Sequence, residues 1–167
     1  MLETNFAFAS ATEILKSIRS KKISPVEITR LYLDRMERLN PQLNSYLTIA
    51  SDQAIKTAKS AEQAVMQGDK LGPLHGIPIS IKDLESTKGI RTTGGSLIFN
   101  ERIPTKDSIV VERVKKAGAI ILGKTNTSEF GLLGRTENLL GNPSRNPWNP
   151  EYTAGGSSGG SASALVA

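Results

Sequence analysis

The sequence predicts an α/β fold with at least some parallel strand pairing, and three segments carry that expectation. Gly76-Ile77-Pro78-Ile79-Ser80-Ile81-Lys82-Asp83 alternates apolar residues at 77, 79 and 81, the period of a strand. Asp107 can cap a helix whose face is Val110, Val114 and Ala117, with Gly118 as its C-terminal glycine. Ala119 to Leu122 is then an uninterrupted apolar run of the kind found in buried strands. Strand, helix, strand in this order is the arrangement that lays two strands side by side in the same direction.

Residues 1–70 read as an N-terminal helical segment and residues 71–167 as α/β core. Ser10-Ala11-Thr12-Glu13 has the spacing of a capping box, with Ala11, Leu15 and Ile18 as the stripe behind it. Ser24-Pro25-Val26-Glu27 repeats the device and adds proline at the first helical position, where its missing N–H costs nothing. Ile28, Tyr32, Met36 and Leu39 line this second helix, and Asn40-Pro41 is expected to end it. An extended piece from Tyr46 to Ala50 precedes a third helix carrying Ala54, Ala58, Ala61 and Val65. The stretch from Asn138 to Thr153 reads as loop, punctuated by Asn142-Pro143, Asn146-Pro147 and Asn149-Pro150, with Trp148 as its anchor.

Composition narrows the function classes. Apolar residues make up 38% of the 167 and charged residues 22%, values of an ordinary globular chain. Without cysteine there are no disulfides or thiolate metal sites, which fits a reducing, cytoplasmic setting. His75 is the one histidine, so a histidine-built metal site is not expected, and no cofactor is. His75 itself reads as a structural or surface residue. No charged stretch followed by an apolar one opens the chain, so no leader peptide is expected. No run of eighteen apolar residues exists, so no membrane-spanning helix is expected. The net charge of +5 comes from 21 basic residues interleaved with 16 acidic ones. That pattern reads as a solvated mixed surface, and direct nucleic-acid binding is not expected.

Gly155-Gly156-Ser157-Ser158-Gly159-Gly160-Ser161 is the strongest chemical signal. Four glycines in six positions permit close backbone approaches, and the serines place hydroxyls within them. Ser161 to Ala167 can begin a helix, whose N-terminus would stabilise an anion. A flexible linker, a phosphate loop and a nucleophile loop are all compatible with this composition. The plain linker is disfavoured because the loop runs straight into small apolar residues, and the phosphate reading lacks a Gly-Lys-Ser/Thr ending. Lys82, at the end of an apolar strand, is the second signal. Desolvation there would leave a neutral amine able to act as a base. Lowering its pKa from about 10.4 to about 7 or 8 costs roughly 3 to 4 kcal/mol. Reaching solvent or pairing with Asp83 is the alternative for that lysine.

Taken together these segments resemble the amidase-signature family. The matching stretches are Gly76-Ile77-Pro78 into Lys82-Asp83, Gly89-Ile90-Arg91-Thr92-Thr93, and Ala117-Gly118-Ala119-Ile120-Ile121-Leu122-Gly123-Lys124-Thr125-Asn126. They continue with Glu129-Phe130-Gly131, Arg145-Asn146-Pro147-Trp148 and the glycine-serine loop. The resemblance implies a mixed sheet flanked by helices, the amidase-signature fold, represented here by its first part. It also implies a Ser–cis-Ser–Lys catalytic set in which Lys82 matches the lysine and Ser157 the serine with a cis peptide bond. The family's nucleophile lies about two dozen residues past the cis-serine, whereas ten residues follow Ser157. The 167 residues alone are therefore expected to be an inactive fragment of an amidase that hydrolyses a carboxylic amide.

Ser158 could support the relay or satisfy loop amides, and Phe130 and Gly131 could border a substrate pocket. The A subunit of the tRNA-dependent glutamine amidotransferase shares the motifs, but usually has asparagine where Leu84 stands. Thr153-Ala154 and Gly134-Arg135-Thr136-Glu137 look more like general amidases. The expected partner is a small-molecule amide, with a homodimer as assembly, or a heterotrimer under the amidotransferase reading. A non-enzymatic scaffold or interaction fragment is the alternative from a different class.

Overall fold

The computed structural model describes residues 6–167. Its elements are α1 (Ala11–Arg19), α2 (Pro25–Leu43), β1 (Tyr46–Ile49), α3 (Ser51–Gln67) and β2 (Pro78–Lys82). They continue with α4 (Ile109–Lys116), β3 (Ile120–Thr125), β4 (Arg145–Asn146), β5 (Asn149–Thr153) and α5 (Gly159–Val166). The main sheet runs β1-β3-β2, with β2 parallel and β1 antiparallel to β3. It is a mixed sheet with helices on both faces.

Both expected capping boxes are formed, with Ser10 and Ser24 accepting from the amides of Glu13 and Glu27. Behind the first, the buried residues are Ile14 and Ile18; Ala11 is exposed and Leu15 only half-buried. The stripe is thus centred one residue earlier than the sequence suggests. Helix α2 does not stop at Asn40-Pro41 but runs to Leu43, where Asn44 adopts a left-handed conformation. Proline costs one N–H bond in that last turn. The Asn40 side chain grips the backbone N–H and C=O of Tyr46, tying the helix end to β1.

Central strand β3 is buried along its whole length. On one face Ile120 and Leu122 pack with Leu33 and Met36 of α2 and Ala54, Ala58 and Ala61 of α3. On the other, Ile121 packs with Ile81, Ile90 and Val111. Val111, not Val110, is the buried residue of α4, and Val110 is 56% exposed. Ser108 occupies the N-cap position, while the Asp107 carboxylate binds Lys115 and the amide of Lys88. The salt bridge drew Asp107 away from the cap, and the helix phase moved by one residue. Within 138–153, β4 and β5 form a short antiparallel pair. Asn146 and Asn149 accept from backbone amides two residues on, making turns that the Asn-Pro spacing alone reads as loop. Trp148 is 83% exposed and anchors nothing there.

Alternation along β3 breaks at a bulge, because Ile79 pairs with Ile121 but Ser80 pairs with Gly123. The extra residue puts Thr125 on the same face as Leu122, three positions away, and sends Lys124 to the Ile121 face. Gly123 is the residue that lets the ladder close, since a Cβ there would lie 2.3 Å from the Thr48 carbonyl oxygen. Gly123→Ala is therefore expected to destabilise the chain by roughly 2 kcal/mol or more. A urea-unfolding midpoint equal to that of the unsubstituted chain would show that the bulge closes without glycine.

Candidate active site

Lys82 is the last residue of β2, at the carboxyl end of a parallel pair, where α/β folds gather functional groups. Its Nζ donates to Ser157 Oγ at 2.7 Å and to Ser158 Oγ at 2.8 Å. These residues lie 75 and 76 positions apart in sequence. Burial pushes the Lys82 amine below its ordinary pKa. The Gly156–Ser157 peptide bond is cis, and Ser157 is half-buried while Ser158 is exposed. Gly131 stands beside both Ser157 and Leu84: a Cβ there would lie 3.5 Å from Ser157 Oγ and 2.8 Å from Leu84 Cδ1.

The glycines of the loop let it settle onto the strand ends. A Cβ at Gly160 would meet Asn126 N at 2.4 Å and the Ser45 carbonyl oxygen at 2.6 Å, so only glycine fits at that crossing. Gly159 N donates to Thr136 Oγ1 at 2.8 Å. Phe130 is exposed, its ring edge-on to Phe99 at 6.1 Å. His75 is half-buried with Nε2 at 2.9 Å from the Ala61 carbonyl, remote from the loop. An apolar cleft of about 220 Å³ lined by Tyr32, Met36, Leu43, Leu122 and Ala164 includes neither Lys82 nor Ser157.

Asp83 does not pair with Lys82. Its carboxylate points to the opposite face, where it accepts from the amide and hydroxyl of Thr93 and lies 3.8 Å from Lys124 Nζ. Lys124 is fully buried and donates to the Glu85 carbonyl and to Thr92 Oγ1. The sequence marks Gly123-Lys124-Thr125-Asn126 as a motif but gives Lys124 no role. The available signal was a lysine one glycine beyond an apolar strand run. Desolvation is the largest influence on its amine and brings the pKa down to about 8; Arg102 adds to this, while Asp83, Glu85 and Asp107 oppose it.

A strand-end lysine hydrogen-bonded to a serine hydroxyl on a glycine loop is an arrangement in which a proton can pass between amine and hydroxyl. The chain belongs to the amidase family, whose sequence profile matches residues 27–167. It is 44% identical over 160 residues to the A subunit of glutamyl-tRNA(Gln) amidotransferase from Carboxydothermus hydrogenoformans, covering 96% of this chain and 33% of that one. Its likeness to the protein of the same name from Thermosynechococcus vestitus is 43% over 155 residues, 93% of this chain and 32% of the other. Among solved structures, a bacterial aryl acylamidase superposes with a TM-score of 0.87 at 34% identity over 92% of this chain and 32% of its own. The peptide amidase of Stenotrophomonas maltophilia gives 0.90 at 31% over 97% and 34%. The chain thus spans about a third of the length of the relatives it matches.

The buried Lys124 sets a pH dependence. Unfolded, it keeps its proton to about 10.4; folded, it releases it near 8. Between these values the unfolded chain binds more protons, so stability rises with pH, by up to about 3 kcal/mol. Urea midpoints from pH 7.5 to 10.5 should climb in the unsubstituted chain and lose most of that slope in Lys124→Met. Parallel slopes in the two would show that Lys124 does not titrate there.

Proposed function

We propose that the whole protein is an amidase that cleaves a carboxylic amide by a Ser–cis-Ser–Lys mechanism, with Lys82 as base and Ser157 as relay. The observation that carries this reading is the 2.7 Å contact between the Lys82 amine and the Ser157 hydroxyl in a chain of the amidase family. Neutral Lys82 takes the Ser157 proton while Ser157 takes one from a nucleophilic serine supplied by residues past Ala167. The freed oxygen adds to the amide carbonyl. As the C–N bond breaks, the same relay returns the proton to the departing amine, and water then releases the acyl group. A hydroxyl at hydrogen-bonding distance from Lys82 and an amine whose pKa is lowered by burial both support these roles.

A second reading is the A subunit of a glutamyl-tRNA amidotransferase, which would act on glutamine within a heterotrimer. Similarity of 40–44% to several proteins of that name favours it. Leu84 and the 134–137 segment favour the general amidase. Ammonia release from glutamine that depends on charged tRNA and partner subunits would select the second reading over the first.

In the whole protein, Lys82→Met and Ser157→Ala should each lower kcat at least about a thousandfold with KM changed only slightly. The isolated 167-residue chain should be inactive. Amide hydrolysis by that chain, abolished by Ser157→Ala, would make Ser157 the nucleophile itself.

A further inference from the structure

Helix α5 and the turn before it rest on the strand ends through small polar side chains. Lys82 of β2 holds Ser157 and Ser158. Next to it, Thr125 of β3 shares a 2.6 Å hydrogen bond with Ser161. Further across, Ser45, just before β1, donates to Ser163 at 2.9 Å. Lys82 and Thr125 are register partners, so the first two contacts arise from neighbouring positions on adjacent strands. Those strands lie about 4.8 Å apart. Ser157 precedes α5 by two residues and Ser161 lies in its first turn, so both contacts are made by one short segment and one constrains the other.

We propose that Thr125 and Ser161 are positioning residues, whose shared hydrogen bond fixes where α5 crosses the sheet and thereby holds the Ser157 hydroxyl on the Lys82 amine. Its catalytic meaning rests on the function proposed above; its geometric content does not. Thr125 is buried, and its hydroxyl is the partner that Ser161 meets on β3. If the bond is removed, the 155–161 turn can lift from Lys82, water reaches the amine, and the desolvation that lowers its pKa weakens. The groups facing Lys82 are the hydroxyls of Ser157 and Ser158, with Tyr46 of β1 bonded to Ser80 on the same face. Asp83 and Lys124 meet on the opposite face.

The pair could instead add stability and nothing more, and one measurement separates the two. Competitive acetylation of Lys82 by trace acetic anhydride, followed by peptide mass across pH 6.5 to 11, reads the free-amine fraction in the 167-residue chain. Ser161→Ala and Thr125→Val should each cut labelling at pH 8 about threefold, a shift of about half a pH unit toward the ordinary lysine value. Thr125→Ser keeps the hydroxyl and should follow the unsubstituted curve, and the double variant should be no worse than either single one. Lower urea midpoints with Lys82 curves superimposed on the unsubstituted chain would overturn the proposal. Should Thr125→Val fail to fold, Ser161→Ala, at a half-buried helix position, decides the matter alone. In the whole protein both variants should lower kcat about tenfold at unchanged KM. A whole protein of unaltered sequence without amide activity would end the amidase reading and leave the labelling result standing.

Discussion

The bulge at Leu122–Gly123 governs which chemistry meets which side of the sheet. A regular strand would carry Lys124 on the Leu122 face, into the apolar packing of α2 and α3, and Thr125 on the other. One inserted residue exchanges them. Thr125 comes up beside Lys82 under α5, and Lys124 goes down to Asp83, Glu85 and Thr92. The sheet therefore separates two lysines of different character. One is half-buried against hydroxyls; the other is sealed among oxygen ligands.

This separation sets the electrostatic surroundings of Lys82. A carboxylate beside Lys82 would hold its proton on. Asp83, its immediate neighbour in sequence, is instead turned away and occupied by Thr93 and Lys124. The Asp83 backbone also moors the segment that follows: Gly94 N donates to the Asp83 carbonyl, and the Gly94 carbonyl accepts from Phe130 N. Gly131, next in sequence to Phe130, lies between Leu84 and Ser157.

Much of this was legible from sequence, for physical reasons that can be named. Capping boxes at Ser10 and Ser24 are local, and the Ala54-Ala58-Ala61-Val65 stripe repeats at the helical period, so both were readable. The parallel pairing of β2 and β3 followed from element order, and the glycine-serine loop stood out by composition. Errors arose where a side chain took a partner that periodicity does not show. Asp107 left its cap for Lys115, and Asn146 and Asn149 turn the chain locally where β4 pairs with β5. The bulge, and with it the destination of Lys124, has no local signature beyond Gly123, because it depends on where the Thr48 carbonyl lies on another strand.

Sealing Lys124 also bears on how the chain assembles. Its oxygen partners come from residues 83, 85 and 92, some 32 to 41 positions earlier in the chain. An ammonium cannot enter the interior before those ligands arrive, since an unpaired charge there is prohibitively costly. Strand β3 and the segment following β2 must therefore become native together, as one cooperative unit of the kind that opens and closes as a whole.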